Sequence, residues 1–249
     1  MTGDFAIIAE GITDEVVLKN VILGFFEKHE EPVVNFEQPL LDATSRSAEH
    51  APGGWTLVRQ YFKDRKFLQA LQFNKYLVIH IDADISEELG IPLVVEGKQR
   101  TQAELVEDII ACFQALIGED VWSKHQSRFL FAIRSDSIEC WLLPLVFDRS
   151  NKSKLKKTTG CLAAIDHELR KKKHPTLSQD DSKDPDAYRE LSDQFAKKTD
   201  VENAAGTIPA SSDSWSSSVP LKQPGPIRPE LALGYPVPHI RTTSHGLTD

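Results

Sequence analysis

Positive charge, cysteine and long apolar runs are all scarce in this chain, and each scarcity removes a class of function. The 249 residues carry 29 Lys and Arg against 37 Asp and Glu, a formal net charge of -8. Coating nucleic acid without regard to sequence requires clustered cations to neutralise phosphates, so that role is not expected, although a local basic patch is compatible with the count. No apolar run approaches the roughly 20 residues needed to cross a bilayer. The opening "MTGDFAIIAEG" carries Asp4 and Glu10 where a secretory signal would carry Lys or Arg, which points to the cytoplasm. No Gly-x-x-x-x-Gly-Lys loop occurs, so the chain has no nucleotide-phosphate cradle of that kind. The three cysteines, Cys112, Cys140 and Cys161, lie far apart without metal-type or paired spacing, and the first two sit in apolar helical patterns. They read as reduced core thiols, with neither zinc nor a disulfide expected.

What the chain does have is enough apolar content, 40%, for one sizeable core or a core with a small appendage. Over residues 1–148 strand and helix signals alternate. "FAIIAE" (5–10) is a short buried strand, "TDEVVLKNVILGFFEKH" (13–29) a helix apolar around most of its circumference, and "PVVNFEQ" (32–38) a second strand. "WTLVRQYFKDRKFLQALQF" (55–73) reads as a helix or a bent helical pair, and "LVIHIDADIS" (77–86) as a strand running into two aspartates. "TQAELVEDIIACFQALIG" (101–118) places seven apolar residues at helical spacing behind a capping box of Thr101 and Glu104. "RFLFAIR" (128–134) is another strand, and "SDSIECWLLPLVF" (135–147) a helix begun from a Ser/Asp cap. Parallel neighbours need helical crossovers, so this alternation predicts an α/β fold with a mostly parallel, doubly wound sheet.

From residue 149 to 206 the pattern changes to helices without strands, "GCLAAIDHELRKKK" (160–173) and "DAYRELSDQFAKK" (186–198), a C-terminal helical extension. Residues 207–249 are rich in Pro and Ser and lack periodicity, so a disordered tail is expected. The tail is also consistent with a shifted reading frame. Ordinary codons for Thr207 to Lys222, read two bases later, can spell Asn-Pro-Ser-Phe-Gln-Arg-Phe-Val-Glu-Gln-Leu, a capped amphipathic helix. The gene's nucleotide sequence decides this.

Acidic residues recur where strands end. Glu10 closes the first strand and is followed by Gly11, read as permitting a tight turn into the helix near Asp14. Asp82 and Asp84 close the central strand, and Asp136 and Glu139 open the helix after the fourth. Parallel strands would bring these carboxylates to one edge of the sheet. Such crowding is tolerable around a cation, and hard oxygen donors suit Mg²⁺ or Mn²⁺. Residues i and i+2 share a strand face, which would let Asp82 and Asp84 address one ion. The bland alternative is that strand ends simply carry polar residues, but three consecutive acidic ends favour a metal site. Asp14 reads equally as a ligand or as a first-turn acid favoured by the helix dipole, and Asp136 as a helix cap. His80 reads as a satisfied core histidine on the same side as Asp82, and Trp141 as core.

In order, "IIAEG" with Asp14, the later "IDAD", and "SIECWLLP" resemble the topoisomerase-primase (TOPRIM) domain. Within it they are similar to TOPRIM-like proteins of bacterial defence and mobile-element loci, relatives of the overcoming-lysogeny-defect nucleases. "GGW" (53–55) and "FAKKTDVENAA" (195–205) also look like that group, and the likeness covers about residues 5–205. The resemblance implies Glu10 as general acid/base or metal ligand, Asp82 and Asp84 as ligands, and Glu139 as a further ligand or a supporting carboxylate of catalytic importance. Asp14 joins the set as a possible-ligand position on the same likeness.

Two functions follow as expectations. The first is a Mg²⁺- or Mn²⁺-dependent nuclease or related phosphoryl-transfer enzyme acting on DNA or RNA in phage defence. Arg134, the cluster Lys154, Lys156 and Lys157, and the cluster Arg170, Lys171 and Lys172 would hold the nucleic-acid backbone, although solvated helix ends are the plainer reading of both clusters. The second is a noncatalytic TOPRIM-like subunit docking on an ATPase encoded nearby, favoured by the missing phosphate loop and the acidic charge. A topoisomerase would need an activated Tyr on a separate domain, and none of Tyr61, Tyr76, Tyr188 and Tyr235 reads as activated.

Overall fold

The computed structural model describes residues 3–26, 31–39, 54–133, 137–148, 150–155, 159–180 and 182–196. Along the chain the elements are β1 (Gly3–Ile8), α1 (Ile12–Gly24), β2 (Val34–Gln38), α2 (Trp55–Lys63), α3 (Phe67–Phe73) and β3 (Asn74–Ile79). There follow β4 (Val94–Val95), β5 (Lys98–Gln99), α4 (Gln102–Ile117), α5 (Glu119–His125), β6 (Phe129–Phe131) and α6 (Glu139–Val146). The last third holds α7 (Lys152–Leu155), α8 (Cys161–Lys171), β7 (Ser178–Gln179), β8 (Ser182–Lys183) and α9 (Pro185–Ser192), which runs into a 3₁₀ turn at Asp193–Ala196.

Four strands form one parallel sheet in the order β2-β1-β3-β6, as the alternation of strands and helices predicts for an α/β protein. Side chains alternate across each strand, and both faces are covered. Phe5, Ile7 and Ala9 of the first strand region pack with Val78 and Leu130 beneath α1, α6, α8 and α9. Ala6, Ile8, Leu77, Ile79 and Phe129 point the other way, against α2, α3, α4 and α5. Burial on both sides explains why these strands read as continuous apolar runs rather than alternating ones. Each fully buried Ile or Leu contributes roughly 1.5–3 kcal/mol of transfer free energy.

The register fixes where the strands stop. Ile8 pairs with Ile79, and Ile79 with Phe131, so β1, β3 and β6 end in line. His80 N–H then donates to Ile8 O at 2.9 Å and Ala132 N–H to Ile79 O at 2.8 Å, carrying the alignment one residue further.

Several expectations are corrected. The 128–134 strand is three residues long, and the first helix ends at Gly24. α6 starts at Glu139 behind Ile138, with no side-chain cap; Ser135 and Asp136, expected to cap it, lie outside the described residues. The last third is not purely helical, since β7 and β8 pair antiparallel, Ser178 with Lys183 and Gln179 with Ser182. Cys140 and Cys161 are not free thiols but form a disulfide, with Cα atoms 5.2 Å apart. Packing of α8 on α6 brings the two positions face to face across 21 residues of sequence, a proximity that spacing alone does not reveal. Cys112 is free. The tail and its reading-frame expectation lie outside the described residues. Among the described residues no helix is long and apolar enough to cross a membrane.

The last third shares its core with the sheet. Ile165, Leu169, Tyr188 and Phe195 belong to the same apolar cluster as Ile7 and Val17. Asn20 on α1 donates to Ser192 Oγ at 2.8 Å and to Arg189 O at 3.4 Å, fastening α9 across α1.

Candidate acidic site at the carboxyl edge

Because β1, β3 and β6 end together, the residues that follow them share one rim. Glu10 reaches across it: Oε1 accepts the backbone N–H of Asp82 at 2.8 Å, and Oε2 accepts that of Trp55 at 3.1 Å. Gly54 makes the second contact feasible. Its φ of 68° and ψ of -143° fall where only glycine is comfortable, and a Cβ there would lie 3.0 Å from Glu10 Oε2. Burial, with the charges of Asp82 and Asp14 adding to it, pushes the Glu10 carboxyl up to about 7 against the N–H donation from Asp82.

Asp14 is buried in the first turn of α1, where Oδ2 accepts the Gly11 N–H at 2.8 Å, one half of a capping arrangement. Burial pushes it up to about 6 even though His80 opposes the shift; the neighbouring Asp82 adds to the rise. Gly11 itself has φ -141°, extended backbone open to any residue, so the expected glycine turn is not needed there. The left-handed glycine of this rim is Gly54.

Asp82 follows β3, and Asp84 lies exposed in a 3₁₀ turn at Ala83–Ile85. The expectation that the pair shares a strand face is therefore corrected, since β3 has ended at Ile79 and its twofold alternation no longer relates them. Burial and the charge of Asp82 raise Asp84. Beneath Asp82 sits His80, fully buried, with Nδ1 2.6 Å from Ala132 O and Nε2 3.2 Å from Asp82 Oδ1. Nε2 and Oδ1 lie at ion-pair distance, and each is otherwise buried without a hydrogen-bonding partner. Burial disfavours the imidazolium, yet Asp82 and then Asp14 outweigh it and push His80 up to about 9. His80 is thus a core histidine whose protonated form the neighbouring Asp82 favours.

Glu139 opens α6 almost wholly buried. Its Oε1 receives the Lys183 ammonium at 2.7 Å and the Tyr188 hydroxyl. Burial works to raise this carboxyl, but Lys183, helped by Tyr188, holds it below the usual value. Lys183 and Tyr188 were invisible as site residues in the sequence: one sits in the acidic stretch "QDDSKDP", the other in an ordinary amphipathic helix.

The basic residues expected to grip nucleic acid are elsewhere or outside view. Arg134, Lys156 and Lys157 lie outside the described residues, and Lys154 is exposed on α7. Arg170, Lys171 and Lys172 end α8, where Lys172 donates to Val146 O at 2.7 Å. Val146 is the last residue of α6, about 10 Å along the helix axis from Glu139, so the Lys172 ammonium sits at the end of α6 away from the acidic rim.

The donor set suits a hard divalent cation in kind: carboxylates at one sheet edge, one of them with a buried unpartnered oxygen. Glu10, Asp14, Asp82, Asp84 and Glu139 would be the residues to hold it. Glu10, Asp14 and Glu139 already have protein partners, however, and among the described residues no three acids, histidines or cysteines converge on one point closely enough to bind an ion. Comparison with protein-family models, curated proteins and solved structures found no match.

Proposed function

We propose that this protein is a metal-dependent nuclease, or a related phosphoryl-transfer protein, that uses Mg²⁺ or Mn²⁺ on nucleic-acid phosphodiesters, with phage defence as its setting. The observation that supports the reading is the alignment of β1 and β3, past which Glu10 accepts the Asp82 N–H, with Asp14, Asp84 and Glu139 drawn in beside them by their shared interaction with Lys183. A divalent ion held there would supply charge neutralisation at a scissile phosphate and acidify a water.

The chain's own groups account for the rest. Glu10, pushed up to about 7, exchanges a proton near neutral pH, as a general acid/base should. Its two N–H donors, Asp82 and Trp55, hold it in one orientation. His80 sets a positive charge under Asp82 and fixes that side chain from below. The fit to TOPRIM-like nucleases rests on the motif order in the sequence.

One observation favours a second reading, a noncatalytic TOPRIM-like subunit of an ATPase-based complex: Glu10, Asp14 and Glu139 already have protein hydrogen-bond or ion-pair partners. Incubating the purified full chain with labelled single- and double-stranded DNA and RNA in Mg²⁺ or Mn²⁺ separates the two. Cleavage abolished in Asp82→Asn supports the enzyme. Intact substrates throughout, together with capture of an ATPase by both wild type and Asp82→Asn, support the subunit.

A further inference from the structure

We propose that Lys183 is the resident counter-cation of the acidic rim, and that a divalent ion enters by displacing its ammonium from Glu139. The inference rests on the metal-dependent reading above.

The ion pair is lopsided. Glu139 is 2% exposed and fixed at the start of α6, whereas Lys183 is 43% exposed and arrives from the solvent side on the two-residue strand β8. The root of the hairpin is firm. Asp166, buried on α8, accepts Leu177 N–H at 2.7 Å and the Ser178 hydroxyl. On the other side, Asp184 N–H returns to Leu177 O at 2.9 Å, and the Asp184 carboxylate caps α9 through the N–H groups of Asp186 and Ala187. Lys183 therefore projects from an anchored backbone on a flexible four-carbon stem.

The charges facing this ammonium come from three other elements. Besides Glu139 on α6, it interacts with Asp14 on α1 and with Asp82 and Asp84 after β3. The ammonium thus contacts Glu139 and is attracted at longer range by the other three carboxylates, while His80 faces Asp82 from below. A carboxylate oxygen that binds Mg²⁺ or Mn²⁺ at about 2.1 Å cannot also keep an ammonium in contact, because the two positive charges would repel at short range. An ion bound at Oε1 and the present Lys183 contact at that oxygen are then mutually exclusive, and the lysine weakens metal affinity there while keeping the metal-free rim stable. Tyr188 remains on Glu139 in both states and keeps the carboxylate in place while the cations exchange.

Mn²⁺ titration by calorimetry and thermal melting of the full chain tests this in wild type, Lys183→Met, Lys183→Arg and Glu139→Gln. Lys183→Met should melt lower without metal, bind Mn²⁺ about tenfold more tightly, and gain more from it on melting. Lys183→Arg, which keeps the cation, should stay close to wild type, and adding Glu139→Gln to Lys183→Met should erase the gain. A second measurement needs no variant: acetylation of the Lys183 amine in wild type, read by peptide mass spectrometry, should quicken severalfold when Mn²⁺ saturates the protein. Equal or weaker Mn²⁺ binding by folded Lys183→Met, or a labelling rate indifferent to Mn²⁺, overturns the displacement while leaving the metal-dependent reading in place. Absence of Mn²⁺ binding in every form, wild type included, overturns both.

Discussion

Trp55 donates its backbone N–H to Oε2 of Glu10 over 3.1 Å, linking the start of α2 to the end of β1 across 45 residues. The contact depends on Gly54, whose backbone occupies a region closed to other residues and whose missing Cβ leaves Glu10 its space. Gly54→Ala should therefore lose about 1–3 kcal/mol of folding stability in urea and turn Glu10 off Trp55. A variant as stable as wild type would mean that the α2 entry adapts freely and that Glu10 is not held from this side.

Glu15 is fully buried in α1 with neither carboxylate oxygen hydrogen-bonded. Burial, then the charge of Asp14, pushes it up to about 8 from an ordinary 4.5. A carboxyl raised in this way keeps its proton in the folded state where the unfolded chain has released it. Its contribution to stability is fully present below about 4.5 and is lost as pH climbs to about 8. Glu15→Gln should flatten that slope and exceed wild type by on the order of 1–3 kcal/mol near pH 8.5. Parallel pH–stability curves for the two proteins would contradict the assignment.

Tyr188 donates to the buried Glu139 oxygen that also receives Lys183. Removing only the hydroxyl, in Tyr188→Phe, leaves the ring in its core and takes one charge-assisted donor from the carboxylate. The expected loss is about 1.5–3 kcal/mol, read from the urea midpoint at neutral pH. An unchanged midpoint would show that Lys183 alone suffices for Glu139.

The Cys140–Cys161 bond closes a loop with 21 residues of sequence separation and joins α6 to α8. Chain-entropy reasoning assigns such a loop about 3 kcal/mol, so the melting temperature should fall by several degrees in strong reductant or in Cys140→Ala with Cys161→Ala. Wild type and the double variant should then melt alike under reduction. A double variant that melts with oxidised wild type would leave the bond without a stabilising role.

Local signals carried the sheet and the most regular helix. Thr101 and Glu104 announce α4, and the structure returns the reciprocal cap, Glu104 N–H to Thr101 Oγ1 at 3.3 Å and Thr101 N–H to Glu104 Oε2 at 2.7 Å. The apolar runs around Ile7 and Val78 belong to strands buried on both faces, and strand ends in a parallel sheet locate Glu10 and Asp82 without any side-chain geometry, whereas Glu139 opens α6 beyond the end of β6. What stayed hidden depends on chain segments meeting at a distance. A hairpin of two-residue strands has no periodicity to read, so Lys183 looked like one charge in a polar linker. The cysteine bond follows from two helices lying side by side, which their separation in sequence does not encode. Asp84 shows the limit of pattern: alternation holds only while the strand does, and β3 stops before it gets there.

The fastening of Asn20 to Ser192 and Arg189 has a practical outcome for anyone dissecting this protein. Severing the chain after residue 148 would strip α1 of its lid, strand a polar amide against nothing, and remove the lysine that balances Glu139. Such a fragment should precipitate or bind neighbours promiscuously, so a truncation that loses activity would report a collapsed scaffold and say nothing about which residues touch substrate.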